Sequence, residues 1–276
     1  ISRFMAARPP MATSVARLTA AAVSHGNDWT LLNHSNPRSV PSLNSDTEKH
    51  RTHLYGRRKG KRLRASLRDA LDNELPQIRI DPEKIAPPCD PRTFFSPNIE
   101  KIWLEIGFGG GEHLAAQAQA NPKVGFIGAE IFENGIASLL KQRTAAALEN
   151  IRILDDDARA FLPFLADRSL DRVFLLYPDP WPKAKHAKRR FVNPTTLDHL
   201  ARLMSPGAEL RIATDHPEYA RWCLRHVPVH PAFQWDVSGP NSWRQRPQDT
   251  IATRYEKKAV REGRTPMYLN FLRVVG

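Results

Sequence analysis

Hydrophobic residues form short runs from residue 101 onward, and segments with helical spacing lie between these runs. Runs of mainly apolar residues predict buried strands, whereas apolar residues that recur every three or four positions predict helices. Strands are predicted at 102–107, 124–131, 151–154, 172–176, 209–213, 233–236 and 268–274, and helices at 112–120, 134–149, 158–165, 194–204 and 216–225. Strands that alternate with single helices indicate crossover units. The pattern therefore predicts an α/β fold with a mostly parallel sheet and helices on both faces.

The first hundred residues do not show this alternation. Residues 1–50 are rich in Ala, Ser, Pro and Asn without a regular period, so we predict a disordered basic N-terminal extension. Its composition resembles a transit peptide, but a fragment or an over-extended start is the favoured interpretation. Residues 51–68 hold eight cations and no acid, and 76–100 are Pro-rich, so 51–100 is predicted to be a basic lead-in and linker. The main folded domain is then predicted to span 101–276.

Charge and composition narrow the partners of the chain. Lys and Arg outnumber Asp and Glu by 41 to 29 among 276 residues, and these cations are clustered. Such an excess predicts an anionic partner, either a nucleic acid or an anionic membrane surface. The two cysteines, Cys89 and Cys223, fit a reducing compartment, so we expect a cytoplasmic protein. No apolar run approaches the ~20 residues of a membrane helix, so no membrane span is expected.

The segment after the strand at 172–176 combines an acid with a dense group of cations. Asp179 lies between two prolines, Trp181 follows, and five of the eight residues at 183–190 are Lys or Arg. A carboxylate at the end of a parallel strand can contact a reacting group, because ligands of such sheets bind at the carboxyl ends of the strands. The basic loop can hold a polyanion. His186 has no second His or Cys at ligand spacing, so no metal site is predicted.

A glycine-rich turn after the first strand predicts a cofactor site. Gly107 and Gly109 let the backbone approach a ligand closely, but dinucleotide and methyl-donor folds both use such a turn. Glu130, at the end of the second strand, suits a ribose diol in either case. Glu105, just before the turn, would repel a pyrophosphate and attract the positively charged end of S-adenosylmethionine. The turn therefore favours S-adenosylmethionine over NAD.

Three consecutive acids, Asp155, Asp156 and Asp157, follow the third predicted strand. Asp157 is placed to meet the adenine amino group of the cofactor. It equally suits the N-cap of the helix predicted at 158–165, and one residue can serve both purposes. The sequence leaves open which of the three acids contacts adenine.

Taken together, these motifs resemble the bacterial tRNA (guanine-N7-)-methyltransferase family. The matching pieces lie at 104–109, 128–130, 157–158, 178–183, 188–190, 213–215 and 253–256. The Asp-Pro-Trp-Pro-Lys run, followed by a His and by Lys-Arg-Arg, is highly specific, whereas the glycine-rich turn is not. The resemblance implies a Rossmann-like class I methyltransferase fold, whose seven-stranded sheet has an antiparallel last strand. The domain at 101–276 would then be an S-adenosylmethionine-dependent methyltransferase domain.

The resemblance also implies an activity and a set of site residues. The reaction would be methyl transfer from S-adenosylmethionine to N7 of guanine 46 in the variable loop of tRNA, which forms 7-methylguanosine. By motif, the cofactor contacts would be Glu105, Gly107, Gly109, Glu130, Asp157 and Asp179. The substrate contacts would be Lys183, Asp215, Thr253, Arg254, Tyr255 and Glu256. The RNA contacts would be Lys185, His186, Lys188, Arg189 and Arg190.

The chemistry of guanine defines what the catalytic residue, Asp179, has to do. N7 carries a lone pair and no proton at neutral pH, so its attack on the methyl group needs no base. Asp179 is therefore predicted to position the base, with Asp215 and Glu256 as further acceptors for the N1–H and N2–H₂ hydrogens.

Other interpretations stay open from the residues alone. One is a methyltransferase that acts on another RNA or on a protein. A non-catalytic RNA-binding module on the same fold is a second, although the intact set of Glu105, Gly107, Glu130 and Asp179 opposes it. An NAD-dependent dehydrogenase would lack a suitable catalytic His or Tyr–Lys pair. Both a monomer and a homodimer fit the sequence.

Overall fold

The structure is a computed structural model that describes residues 58–239 and 241–275. The extension predicted at 1–50 and the first cations of the basic lead-in lie outside these residues. The boundaries proposed near residues 50 and 100 therefore stay predictions.

Seven strands of the described residues form one sheet. They are β1 (Lys101–Ile106), β2 (Val124–Ala129), β3 (Ile151–Leu154), β4 (Leu170–Leu176), β5 (Met204–Thr214), β6 (Phe233–Trp235) and β7 (Met267–Arg273). Their order is β3-β2-β1-β4-β5-β7-β6. Strands β1 to β5 pair in parallel, whereas β7 is antiparallel to both β5 and β6. This sheet confirms the predicted α/β class, including the antiparallel last strand.

Helices cover both faces of the sheet. They are α1 (Ala65–Asn73), α2 (Leu75–Ile78), α3 (Glu112–Ala120), α4 (Glu133–Ala145), α5 (Ala158–Phe161), α6 (Pro194–Leu203), α7 (Pro217–His226) and α8 (Arg254–Arg261). Side chains alternate between the faces along β1. Leu104 packs into the cluster that includes Leu197 of α6, and Trp103 packs into the cluster that includes Leu114 of α3. Each face of the sheet thus has its own apolar layer, and helices α1, α3 and α4 share the layer of Trp103.

The segment before β1 lies along the β3 edge of the sheet. Helix α1 packs against α4. The Ile80 N–H donates to the Ile153 carbonyl (2.7 Å), and the Cys89 N–H donates to the Phe164 carbonyl (2.8 Å). The Pro-rich stretch at 76–100 therefore wraps across the domain with defined backbone contacts.

Several predicted boundaries differ from the observed ones for local reasons. Helix α4 ends at Ala145, and Ala147 turns the chain with a φ of 49°. Pro163 converts the end of the helix at 158–165 into a short 3₁₀ turn. Strand β5 begins at Met204, before Ser-Pro-Gly, because Met204 already pairs with Leu170 of β4. Helix α8 was not predicted at all.

Candidate active site

An open cleft of about 390 Å³ lies at the carboxyl ends of β1 to β4. Residues after each of these strands line it: Gly107 and Gly109 after β1, Glu130 and Phe132 after β2, Asp156 and Asp157 after β3, and Tyr177 and Asp179 after β4. Sheet order reverses between β1 and β4, because the chain goes from β1 to β2 and β3 and returns to the other side for β4. Such a reversal opens a crevice at the ends of the strands, which is the usual ligand site of these sheets.

The glycine-rich turn forms one side of the cleft with backbone atoms. Gly107, Gly109 and Gly111 have φ values of 71°, 57° and 77°, in the left-handed region where a Cβ atom is unfavourable. Gly135, in the first turn of α4, lies so close to this turn that a Cβ atom there would overlap the Gly109 carbonyl oxygen. The turn can therefore take this shape only with glycines on both sides of the contact.

Glu130 fastens the glycine-rich turn to the end of β2. One carboxylate oxygen accepts the Gly109 N–H (2.7 Å), and the other accepts the N–H groups of Ile131 (2.8 Å) and Phe132 (2.9 Å). Burial raises the pKa of Glu130, although the three backbone donors oppose this shift, and the nearby Asp179 raises it further. The predicted ribose-binding carboxylate is thus also a structural link between β1 and β2.

The three acids after β3 have separate surroundings. Asp155 pairs with Arg79 (2.6 Å) and does not line the cleft. Asp157 caps α5 by accepting the Arg159 N–H (2.9 Å), and its carboxylate pairs with the Arg159 guanidinium (2.7 Å). Asp156 lines the cleft and accepts the Asp157 N–H (2.8 Å). Of the three acids, Asp156 and Asp157 line the cleft and Asp155 does not, and the adenine contact itself stays a prediction.

Glu105 does not line the large cleft. Its side chain is 4% exposed and accepts a hydrogen bond from His113 Nδ1 (2.8 Å). It borders a smaller space behind the glycine-rich turn, together with Gly107 and Tyr255. The structure thus places this predicted cofactor contact behind the turn and gives it a partner, His113, that sequence reasoning missed.

Asp179 lies at the rim of the cleft in a distorted turn. Tyr177 and Trp181 on either side of it have positive φ values of 52° and 42°. Positive φ is uncommon for residues with large side chains, and such strain concentrates at functional sites. Partial burial raises the pKa of Asp179 above its ordinary value.

The basic loop that follows contains a short 3₁₀ helix, Ala184–Arg189. Lys183, Lys185 and Lys188 are exposed, and His186 lies edge-on to the Trp181 ring, with ring centroids 5.8 Å apart. The Arg189 guanidinium lies 4.8 Å from the centre of the Trp181 ring and borders the cleft.

Arg190 differs from the other cations of this loop. It is 6% exposed, and it donates to the carbonyls of Pro180 and Trp181 at 3.0 Å each. Its side chain faces inward and supports the turn that carries Asp179. The structure therefore corrects its predicted place among the RNA contacts, because an enclosed guanidinium cannot reach a phosphate on a solvent-facing backbone.

The residues at 253–256 start helix α8. Thr253 is its N-cap and accepts the Glu256 N–H (3.1 Å). Arg254 pairs with Glu112 (2.8 Å), and Tyr255 lines the cleft. Burial alone would raise the pKa of Glu112, but the hydrogen bonds from Arg254 overcome that effect and leave the pKa lowered. Glu256 is buried.

Asp215, at the end of β5, forms an ion pair with Arg264. Its carboxylate is thus engaged by a residue that sequence reasoning did not single out.

An ionic cluster on β4 and β5 holds the loop that leads into α8. Arg172 contacts Glu209 (3.0 Å) and Asp249 (3.1 Å), and Arg211 contacts Asp249 (2.7 Å) and Glu209. Gln117 of α3 also donates to the Asp249 carbonyl. The segment at 237–252 has no hydrophobic period, so nothing in the sequence indicated these contacts.

The described residues contain no group of His, Cys, Asp and Glu side chains that could hold a metal ion. No helix among residues 58–239 and 241–275 is long and apolar enough to cross a membrane.

The sheet order, the glycine-rich turn and the acids after β2, β3 and β4 define a class I, S-adenosylmethionine-dependent methyltransferase. A family model described as "Putative methyltransferase" matches residues 99–269. The chain belongs to the tRNA (guanine-N(7)-)-methyltransferase family.

Three relatives carry that family name. The protein of Rhodospirillum rubrum is 50% identical over 80% of this chain and 87% of its own length. Those of Roseobacter denitrificans and Azorhizobium caulinodans are 47% and 46% identical, cover 84% and 83% of this chain, and are themselves covered over 100% and 98%. Among solved structures, the 16S rRNA methyltransferase KamB has a TM-score of 0.48 at 15% identity, covering 66% of this chain and 95% of its own.

Proposed function

We propose that this protein transfers a methyl group from S-adenosylmethionine to N7 of a guanine in tRNA, at position 46 of the variable loop, and so forms 7-methylguanosine. The observation that carries the proposal is the position of Asp179, at the rim of the cofactor cleft and directly before the exposed cations of the basic loop. The names of the relatives supply the substrate.

The cleft residues fit S-adenosylmethionine. Gly107 and Gly109 leave room for a close backbone approach, and Glu130 has lone pairs left for ribose hydroxyls. Asp156 or Asp157 would accept from the adenine amino group. The bound cofactor supplies an electrophilic methyl group on a positively charged sulfur.

The protein's contribution to methyl transfer is positioning. Held by these residues, the cofactor would supply its methyl group to the lone pair of guanine N7, and the electron pair of the broken carbon–sulfur bond would stay on the sulfur. Holding N7 in line with that bond can lower the barrier by roughly 7–11 kcal/mol. Asp179 holds the base at the rim, and its negative charge offsets the positive charge that develops on the methylated ring.

The exposed cations Lys183, Lys185 and Lys188 would contact the phosphates of the tRNA. Arg189 borders the cleft itself and so would act next to the reacting nucleotide. A tRNA substrate would fit a cytoplasmic protein with no membrane partner, and a monomer or a homodimer would serve equally for this reaction.

The direct test is to map the methylated nucleoside. Unmodified tRNA is incubated with the full chain and labelled S-adenosylmethionine, and the product is digested and analysed by mass spectrometry. We expect 7-methylguanosine at position 46, and no label in the same tRNA with adenine at that position. Label on another nucleoside, or equal label in the adenine control, would refute the proposal.

A further inference from the structure

Helix α8 buries little apolar surface of its own. Its buried residues are Glu256 and Ala259, and most of its other side chains are exposed charges. Elements with few buried apolar contacts have a low local stability and open more readily than the core. The position of α8 beside the cofactor cleft therefore depends on the polar and ring contacts made by its first turn.

One of these contacts joins α8 to the glycine-rich turn. Glu112 is the first residue of α3, directly after that turn, and one of its oxygens accepts both the Arg254 N–H (3.0 Å) and the Arg254 Nε–H (2.8 Å). The Arg254 guanidinium lies so close to Gly110 that a Cβ atom there would overlap it. Arg254 is thus engaged by the turn that forms one side of the cofactor cleft.

Tyr255 makes a second contact with the same turn. A Cβ atom on Gly109 would lie 2.9 Å from Cε2 of Tyr255, so the ring lies against the backbone of the turn. The ring also lines the cleft, although 45% of the residue is exposed. Burial raises the pKa of Tyr255, and the nearby carboxylates of Glu130 and Asp179 raise it further. A ligand that fills the cleft would therefore meet this ring and cover more of it.

The same turn of α8 carries residues that the family motif assigns to the guanine. These are Thr253 and Glu256, on either side of Arg254 and Tyr255 in the chain. Thr253 accepts the Glu256 N–H (3.1 Å), which closes the first turn of the helix. Because this hydrogen bond ties the four residues together, a ligand that fixes Tyr255 also fixes Thr253 and Glu256.

We propose that the first turn of α8 couples the two substrates: Tyr255 packs on bound S-adenosylmethionine, the Glu112–Arg254 pair holds the turn there, and tRNA binds more tightly as a result. This inference rests on the proposed function. Coupling between two ligands is reciprocal, so tRNA raises the affinity for the cofactor by the same factor. Arg254 and Tyr255 then serve the cofactor side of the site.

The strengths of the contacts explain why a ligand is needed to fix the turn. The Arg254 side chain is 52% exposed, and ion pairs with this much exposure stabilise only weakly. The pair alone therefore does not lock α8. An aromatic ring that becomes buried against a ligand contributes more. The ligand that binds second meets a turn that is already ordered, so its own binding loses less conformational entropy.

The test measures binding with S-adenosylhomocysteine, which lacks the methyl group and so gives a stable complex with tRNA and protein. Its Kd for the full chain is determined by calorimetry without tRNA and with saturating unmodified tRNA, and the ratio of the two values is the coupling factor. The variants are Tyr255→Ala, Tyr255→Phe and Glu112→Ala. Val260→Ala, which changes an exposed side chain later in α8, is the matched control. The Tm of each protein is measured alongside.

The wild-type protein should show a coupling factor of about fivefold or more. Tyr255→Ala should bind the probe about tenfold more weakly without tRNA, because ring burial is lost, and its coupling factor should fall close to one. Tyr255→Phe keeps the ring and should match the wild type in both respects. Glu112→Ala should lower the coupling factor with a Tm within a few degrees of the wild type, and Val260→Ala should change neither Kd.

Each part of the inference has an outcome that overturns it. A wild-type coupling factor of one would overturn the coupling without any variant having to fold. Wild-type affinity in Tyr255→Ala, or an equal loss in Tyr255→Phe, would overturn the packing of the ring on the cofactor. An unchanged factor in Glu112→Ala would overturn the role of the ion pair.

Failure of the proposed function would give a different result. In that case the wild-type protein would methylate no guanine N7 in tRNA. The affinities of the Tyr255 variants for S-adenosylhomocysteine alone would still decide whether this ring contacts the cofactor.

Discussion

At the scale of single residues, the acid of the active site is held by a backbone under strain. Tyr177 and Trp181 adopt positive φ on either side of Asp179, and Arg190 satisfies the carbonyls of Pro180 and Trp181. The sequence identified Asp179 because an acid between prolines after a strand is unusual. It could not identify the inward role of Arg190, because Arg189 and Arg190 are alike in sequence and differ only in which way the loop turns them.

Replacing Asp179 with Asn should abolish most methyl transfer without unfolding the protein. The amide keeps the shape but removes the charge that offsets the cationic product, so we expect a loss of at least about 100-fold in kcat. Steady-state rates with purified tRNA, together with a Tm within a few degrees of the wild type, would check this. Near-normal turnover would contradict the role of Asp179.

The raised pKa of Asp179 also predicts a pH dependence. As the pH falls through that raised pKa, the carboxylate takes up a proton and loses its charge. The acid limb of kcat/KM should therefore lie above the ordinary Asp range near pH ~4. A profile that stays flat down to that range would show that the charge of Asp179 is not needed.

At the scale of elements, the basic loop divides its cations between two tasks. Lys188 is exposed on the 3₁₀ helix, whereas the next cation but one, Arg190, is enclosed. From their charge alone, both Lys188 and Arg190 would be expected to contact RNA. The structure separates them, because a 3₁₀ turn followed by an extended residue points neighbouring side chains in different directions.

Lys188→Ala and Arg190→Ala should therefore fail in different ways. Lys188→Ala should weaken tRNA binding and reduce the salt slope of log K by about 0.7–0.9, with unchanged Tm and cofactor affinity. Arg190→Ala should leave two carbonyls unpaired and lower the stability by about 2–4 kcal/mol. Binding titrations at several salt concentrations and thermal melts of both variants would measure this. If the two variants changed tRNA binding and Tm in the same way, the two cations would not have the separate roles given to them here.

How well an element could be predicted depended on its apolar content. Helix α3 and strand β3 were predicted with their observed bounds, because each has a clear apolar pattern and an adjacent breaker. Helix α8 was missed, since most of its residues are charged and its buried residues are only Glu256 and Ala259. The Thr253 cap gave a start signal, but a cap without an apolar stripe does not predict a helix.

At the scale of the whole molecule, the sequence predicted the sheet but not the ionic contacts that hold the substrate-binding elements against it. Parallel order and strand number follow from alternation along the chain. The contacts that place the substrate elements are ionic and distant in sequence, as between Arg172 and Asp249 or between Asp215 and Arg264. Such pairs leave no periodic signal, so the position of α8 against the cleft had to come from the structure.

Removing residues 1–45 should leave both activity and stability intact. The relative from Roseobacter denitrificans is matched over 100% of its length by 84% of this chain, so part of this chain has no counterpart there. We expect the shortened chain to melt within a few degrees of the full chain and to keep its kcat/KM on tRNA. A misfolded product, or a large loss of rate, would show that this extension belongs to the working fold.

The contact between Gly135 and the carbonyl of Gly109 has a consequence for how this enzyme can change. Here the backbone of α4 at Gly135 packs directly against the backbone of the glycine-rich turn at Gly109, with no side chain between them. Substitutions around the rim can retune which groups of a ligand are held and how tightly. They cannot move the backbone of the glycine-rich turn closer to α4. The position of this turn is therefore fixed, and other contacts to the ligand have to change around it.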